Sequence, residues 1–256
     1  MTVKNFRLTL SYNGAGYYGW QKQSKFLSVQ GLLEYALEKF LGAGVKTTGA
    51  SRTDAGVHAY GQVVNFRAHT PLDAAGMKAV LNGLLPEDIR VINASLCNPG
   101  FNARHNVRKK LYRYVIRNSG IMYPFYRDFC WHLDKKTDTE KIKAVLPLFE
   151  GVKDYFSFTR SGGETENYER RVDSIKMTCR GRDIFLDFTA KSFLYNMIRK
   201  ITAALVCVGD GEMNEGDIRK MFEARDRRLC RHLAPPGGLY LVKIIYEREN
   251  GNTSAD

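Results

Sequence analysis

Two kinds of hydrophobic periodicity follow one another along the chain, and their order constrains the fold more than any other feature. Alternation of apolar and polar residues is typical of strands, whereas apolar residues spaced three and four apart are typical of amphipathic helices. Segments flanking Arg180-Gly-Arg-Asp183 alternate in this way and are predicted to form a hairpin. In all, we predict strands at residues 6–12, 62–66, 89–95, 111–116, 172–179, 184–190 and 239–246.

Helices are predicted where capping residues or a proline precede one-sided apolar stripes. Serine and threonine are favoured at the position before the first helical residue, because their side-chain oxygens accept hydrogen bonds from free backbone amides of the first turn. The second predicted helix ends before Pro86, and a short helix is expected at residues 218–222. The expected starts of the other helices are Ser28, Thr70-Pro71, the capping box Thr137-x-x-Glu140 and Ser192.

Both halves of the chain run strand, helix, further strands and another helix. This order predicts an α+β protein of two similar units, residues 1–105 and 106–256. A length of 256 residues fits two domains of ordinary size. Hydrophobic residues make up 44% of the chain, which excludes global disorder, although the polar tail from Glu249 to Asp256 is expected to fray.

The chain carries a strong basic excess, 39 Lys and Arg against 27 Asp and Glu, or a net charge of +12. Such an excess favours a polyanionic partner, with nucleic acid first and an anionic membrane surface second. The apolar run at residues 201–209 is far shorter than the roughly 20 residues of a spanning helix. The N-terminus has no long apolar segment, so neither a signal peptide nor a membrane span is expected.

The five cysteines lie far apart, and their spacing suits neither a zinc site nor a disulfide framework. We therefore expect reduced thiols, no metal and a cytoplasmic protein.

Much of the basic charge falls in two runs, at residues 104–117 and 219–231. The first run leads into the predicted strand that carries Tyr112 and Tyr114. Cations interleaved with aromatic rings offer phosphate contacts beside base-stacking faces, which favours RNA or single-stranded nucleic acid over a merely solvated surface. The candidate RNA-binding residues of this run are Arg104, Arg108, Lys109, Lys110 and Arg113.

The segment from Gly14 to Gly19 has the spacing G-x-G-x-x-G, which in other proteins binds dinucleotides. That function requires a helix to begin within the glycines, whereas here the next helix is expected only after Ser28. We therefore favour a glycine turn that carries aromatic residues, and we expect no nucleotide cofactor.

A second loop of small residues, from Gly49 to Ala59, holds Arg52 and Asp54 two positions apart. One interpretation is a turn in which Asp54 bonds the backbone and Gly56 adopts a positive φ. The other is a single catalytic carboxylate, whose small neighbours let a bulky substrate approach and whose nearby guanidinium favours the ionised form. His58 is expected to be a packed or hydrogen-bonded structural residue.

At this loop, and at further points in the same order, the chain resembles the TruA family of tRNA pseudouridine synthases. The family's central Arg-Thr-Asp-Ala-Gly-Val-His signature is present from Arg52 to His58. The resemblance covers about residues 5–247. The other matching segments are Tyr18-Gly-Trp20-Gln-x-Gln23, Ser28-Val-Gln30, Gly61-Gln-Val-Val-Asn-Phe66, Leu84-Leu-Pro-x-Asp88-Ile89, Phe101-x-Ala103-Arg104, Lys110-x-Tyr112-x-Tyr114, Phe193-Leu-Tyr-Asn-Met197-Ile-Arg199 and Gly238-Leu-Tyr-Leu241.

The resemblance implies the pseudouridine synthase fold, with two antiparallel sheets joined into one and a basic cleft between them. It implies Asp54 as the catalytic carboxylate, Tyr112 stacking on the target uracil, Arg199 pairing with Asp54, and Arg52 extruding or holding the target nucleotide. The implied reaction isomerises uridine at positions 38 to 40 of the tRNA anticodon stem-loop, without a cofactor or metal, in a homodimer. A non-catalytic tRNA-binding module is the alternative.

Three departures from the family's pattern bear on substrate choice rather than on the chemistry. Ser51 stands where glycine is usual, and Leu233 stands where threonine is common. The segment from Ser161 to Asn167 replaces a stretch that varies in the family.

Overall fold

The computed structural model describes residues 3–160 and 166–247, and its main feature is one ten-stranded mixed sheet. The expected α+β class is confirmed. The predicted tail at 249–256 lies outside these ranges, as does most of the 161–167 segment. The strands are β1 (Val3–Tyr12), β2 (Thr48–Gly49), β3 (His58–His69), β4 (Ile89–Leu96), β5 (Val107–Asn118), β6 (Trp131–Leu133), β7 (Gly151–Asp154), β8 (Glu169–Arg180), β9 (Asp183–Ala190) and β10 (Leu239–Tyr246).

The strand order along the sheet is β4-β1-β3-β10-β5-β9-β8-β7, with β2 beside β3 and β6 beside β5. Strands from the first 105 residues therefore lie on one side and those from the rest of the chain on the other. The C-terminal strand β10 joins the two groups, because it pairs in parallel with β3 and antiparallel with β5. The predicted hairpin of β8 and β9 is confirmed.

Five α-helices complete the described part of the chain, and their apolar faces belong to one buried core. The first, α1, is capped by Ser28 as predicted, and its Val29, Leu33 and Leu37 are fully buried. Within the described ranges, helices are too short or too polar to cross a membrane. The helices are α1 (Val29–Leu41), α2 (Ala74–Leu84), α3 (Thr139–Val145), α4 (Met197–Gly209) and α5 (Glu215–Ala224).

Two helix starts were predicted wrongly because aspartates displace the threonines expected there. Helix α2 is capped by Asp73, whose carboxylate accepts a hydrogen bond from the Gly76 amide at 2.7 Å, and it does not start at Thr70-Pro71. Asp138 caps α3 in the same way. The Thr137 hydroxyl instead donates to the Asp210 carboxylate at 2.6 Å, so the predicted Thr137–Glu140 capping box is wrong.

The fourth helix starts five residues later than Ser192, the start predicted from the apolar stripe. Asn196 precedes the helix with φ of 60°, a left-handed conformation that an α-helix does not continue through. Residues 192–196 therefore form a separate loop before α4, and this loop lines the same cleft as Asp54. The helix itself is buried along almost its whole length.

The glycine segment 14–19 packs against the loop that carries Asp54. A Cβ atom on Gly14 would overlap the Val57 carbonyl, and one on Gly19 would overlap the Thr53 carbonyl. Gly19 also has φ of +84°, which favours glycine. The two glycines are therefore required for the close approach of two backbones.

We predict that Gly14→Ala destabilises the protein by about 1–3 kcal/mol, because the new methyl group must displace the backbone at Val57. Gly16→Ala is the matched control, since a Cβ there meets no atom within 4 Å. Urea unfolding of both variants measures the difference. Equal stability of the two variants would show that the segments do not pack as described.

Candidate active site

The loop from Ser51 to Val57 connects β2 to β3, and hydrogen bonds with Gln62, Tyr12 and Trp20 hold it in place. Gln62 accepts a hydrogen bond from the Ser51 amide at 3.2 Å and donates one to the Ser51 carbonyl at 2.5 Å. The Tyr12 hydroxyl bonds the Thr53 hydroxyl at 2.8 Å, and the Trp20 amide donates to the Thr53 carbonyl at 3.0 Å. Asp54 therefore follows a segment held at both backbone and side chain.

The Asp54 carboxylate pairs with the Arg199 guanidinium, whose Nη1 lies 3.3 Å from Oδ2. Both side chains are largely covered, with 22% of Asp54 and 11% of Arg199 exposed. Arg199 is itself oriented, because its Nε donates to the Ala234 carbonyl at 2.8 Å and its Nη1 donates to the Asn196 side chain at 3.1 Å. The pairing implied by the family resemblance is confirmed.

Burial and the nearby cations act on Asp54 in opposite directions. Burial raises the pKa of the Asp54 carboxyl, while Arg199 and Arg160 oppose that rise. The cations favour the ionised form that a nucleophile or a base requires.

Tyr112 lies on β5 beside this loop, almost completely buried. Its hydroxyl bonds the Ser51 hydroxyl at 2.8 Å, and its ring meets the edge of Phe193 with centroids 5.5 Å apart. Lys110, two residues earlier on the same face of the strand, donates from Nζ to the Ala50 carbonyl at 2.9 Å and to the Ser51 hydroxyl at 3.1 Å. Ser51 therefore links Lys110 to Tyr112.

Asp54 and Tyr112 line one cleft of about 950 Å³, at the upper end of the size range of ligand pockets. Of the predicted site residues, those that share its lining are Arg52, Asp54, Arg104, Lys110, Tyr112 and Arg199.

Three predicted RNA-binding residues lie outside the cleft lining. Lys109 pairs with Asp173 at 3.2 Å, and Arg113 forms a two-pronged ion pair with Asp187 at 2.7 and 2.8 Å. Arg108 is exposed at the start of β5. Their contribution to RNA binding stays a prediction.

His58 is structural, as expected. Its Nδ1 accepts a hydrogen bond from the Gly14 amide at 3.0 Å, so the proton of the neutral ring lies on Nε2, which donates to the Asp128 carbonyl at 2.9 Å. The ring stacks on Phe129 and on Tyr240. Burial lowers the pKa of His58, which favours this neutral form.

Sequence reasoning missed Phe193 and Asn196 as parts of the site. The helix predicted to start at Ser192 included both residues, with Phe193 in its apolar stripe. Both instead lie in the loop before α4, where Phe193 contacts Tyr112 and Asn196 contacts Arg199. The Asn that interrupts the stripe was the available signal, since asparagine tolerates the left-handed conformation better than most residues.

The structure also brings together Cys207, Glu212 and His232, whose possible ligand atoms lie within 4.8 Å of one another. They lie outside the lining of the Asp54 cleft. Burial, with Glu212 nearby, raises the pKa of the Cys207 thiol to about 12, so an ion bound there would have to displace the thiol proton.

The Asp54–Arg199 pair lies in a cleft lined by further cations, which suits a polyanionic ligand. Comparison with known families identifies the class of protein. The family model described as tRNA pseudouridine synthase matches residues 9–106 and 145–247, more than half of the chain. The chain belongs to the tRNA pseudouridine synthase family, and it is an isomerase.

Relatives named tRNA pseudouridine synthase A match nearly the full chain. One from Thermoanaerobacter sp. (strain X514) is 36% identical over 244 residues, covering 95% of this chain and 100% of the relative. Another, from Methylacidiphilum infernorum (isolate V4), is 37% identical over 247 residues, covering 96% and 97%. A solved archaeal box H/ACA sRNP Nop10-Cbf5 complex contains a chain that aligns with a TM-score of 0.35 at 16% identity, covering 78% of this chain and 43% of that one.

The burial of the Lys110 ammonium group predicts that the free energy of unfolding depends on pH. Burial, with Arg104 nearby, lowers its pKa from 10.5 to about 8. Between these two values the unfolded chain binds more protons than the folded one, so the free energy of unfolding rises with pH. Lys110→Met removes this rise, whereas Lys109→Met, whose lysine pairs with Asp173, is expected to retain it.

Urea unfolding of these variants and the unaltered protein at about pH 7.5, below that window, and at about pH 9.5, within it, measures the effect. An identical pH response of Lys110→Met and the unaltered protein would contradict the burial of this ammonium group.

Proposed function

We propose that this protein isomerises uridine to pseudouridine at positions 38, 39 and 40 of the tRNA anticodon stem-loop, with Asp54 as the catalytic carboxylate. Membership in the tRNA pseudouridine synthase family supports the reaction. The observation that carries the assignment to Asp54 is its ion pair with Arg199 within a cleft that contains Arg52, Arg104 and Lys110.

The reaction breaks the N1–C1′ bond, turns the uracil and rejoins it through C5. N1 gains a proton and C5 loses one, so the change is a balanced isomerisation. Asp54 assists the cleavage either by attacking C1′, as a retaining glycosidase does, or by removing the C2′ proton. Both routes start from an ionised carboxylate, which the Arg199 contact favours.

The target base must leave its stack before the carboxylate can reach its sugar. We assign Tyr112 to stacking on the flipped uracil, because it lines the cleft with its hydroxyl held by Ser51. Arg52 is exposed at the same cleft and is assigned to extruding or holding the nucleotide. Arg199 favours the ionised form of Asp54.

The two units, residues 1–105 and 106–256, are proposed to contribute Asp54 and Arg199 respectively to one active site. A homodimer in the cytoplasm, with one tRNA contacting both subunits, completes the proposal. A tRNA-binding module without chemistry would use the same basic cleft, and the first test below separates it from the enzyme.

Asp54→Asn is expected to abolish pseudouridine formation while leaving tRNA affinity within a few-fold, because it removes the charge of one buried carboxylate but keeps its volume. Asp128→Asn is the control, since this half-exposed aspartate forms an ion pair with its sequence neighbour Arg127 and lies outside the cleft lining. Carbodiimide-based sequencing of a tRNA pool detects the product. Full activity of Asp54→Asn would overturn the mechanism.

The salt dependence of tRNA binding separates the cations of the cleft from those in surface ion pairs. Binding should weaken steeply as salt rises, through release of counterions from phosphates. Arg104→Gln should reduce the slope of log affinity against log salt by about one. Arg113→Gln should reduce that slope less than Arg104→Gln does, because Asp187 already pairs with Arg113. A flat dependence for the unaltered protein would contradict a basic RNA-binding cleft.

A further inference from the structure

Tyr18 and Phe26 form an exposed pair of stacked aromatic rings beside the cleft that holds Asp54. Their centroids are 4.3 Å apart, and the rings are nearly parallel, at 24°. Tyr18 is 54% exposed and Phe26 is 47% exposed, so each keeps much of its apolar surface in water. Tyr18 belongs to the lining of the same cleft as Asp54.

Backbone contacts fix Tyr18 relative to the catalytic loop. Its amide donates to the Leu27 carbonyl at 2.9 Å, and its carbonyl accepts a hydrogen bond from the Gln23 side chain at 3.2 Å. The next residue, Gly19, packs directly on the Thr53 backbone. These contacts hold the backbone of Tyr18 at a fixed position relative to Asp54, as a binding platform requires.

The charge and size of the cleft indicate what covers this ring. The cleft is large for a single nucleotide, and Arg52 and Arg104 in its lining complement a phosphate chain that runs through it. A nucleotide leaving a stack exposes the bases beside it, and aromatic rings bind such bases without sequence preference. An exposed ring braced from behind by a second ring suits a base on its free side.

We propose that Tyr18, supported by Phe26, is a second nucleobase site, which stacks on an unpaired base flanking the target uridine. The site rests on the proposed function, since it takes its ligand from the same RNA. It recognises the face of the base and so tolerates different sequences around the target.

The test is a double-mutant cycle between the ring and the RNA. Affinity is measured for an anticodon stem-loop RNA and for versions with an abasic nucleotide at each position flanking the target. Tyr18→Ala should weaken binding of the intact RNA by roughly fivefold to thirtyfold, and Tyr18→Phe should restore it. One abasic position should cost the unaltered protein a similar factor and cost Tyr18→Ala almost nothing.

Tyr35→Ala is the matched control, because Tyr35 is 57% exposed but lies on α1, beside Lys39 and outside the cleft lining. Its affinity should equal that of the unaltered protein.

Equal abasic costs in the unaltered protein and Tyr18→Ala would overturn the proposal. If Tyr18→Ala does not fold, the abasic series is measured with the unaltered protein. If none of the abasic positions then weakens binding, a second base site is excluded. The cycle reads binding alone. If the cycle shows coupling between Tyr18 and one flanking base but the protein forms no pseudouridine, the proposed reaction is refuted and the second base site is still supported.

Discussion

Placing a carboxylate inside the cleft is the constraint on which the rest of the structure depends. Asp54 is largely covered, and a buried charge without a partner costs several kcal/mol in a protein interior. Arg199 supplies the opposite charge from 145 residues further along the chain. Since Asp54 precedes β3 and Arg199 lies in the first turn of α4, the pair forms only when the two halves of the chain are joined.

The join itself is narrow and needs support from side chains. Strand β10 meets β3 over two residue pairs that begin at Tyr240 and His58, whereas it pairs with β5 along almost its full length. His58 reinforces this short contact with hydrogen bonds to Gly14 and Asp128 and by stacking on Tyr240. Because His58 is four residues from Asp54, the contacts that join the halves also position the carboxylate.

Hydrophobic period predicted seven of the ten strands in the described residues, because the buried residues of strands such as β9 recur at every second position, and β10 has the predicted bounds. The short strands β2, β6 and β7 were missed. The starts of helices were less predictable. A single residue in the left-handed conformation can end a helix even where the apolar spacing of the side chains continues. Phe193 and Leu194 extend the apolar stripe of α4, yet Asn196 turns the chain and places them in a loop. Tertiary contact with Tyr112, which composition cannot reveal, gives Phe193 its place.

Net charge predicted an anionic partner, but it could not tell which cations face that partner. The alternation of β5 does so, because Lys110 and Tyr112 share the face that meets Ser51, while Arg113 points to the other face and is neutralised by Asp187. A cation held in an ion pair adds little to the field in the cleft. Attraction of a polyanion to the Asp54 cleft therefore depends less on the total of +12 than on the cations in the lining of that cleft. Of the cations near Asp54, Arg199 and Arg160 also favour its ionised form.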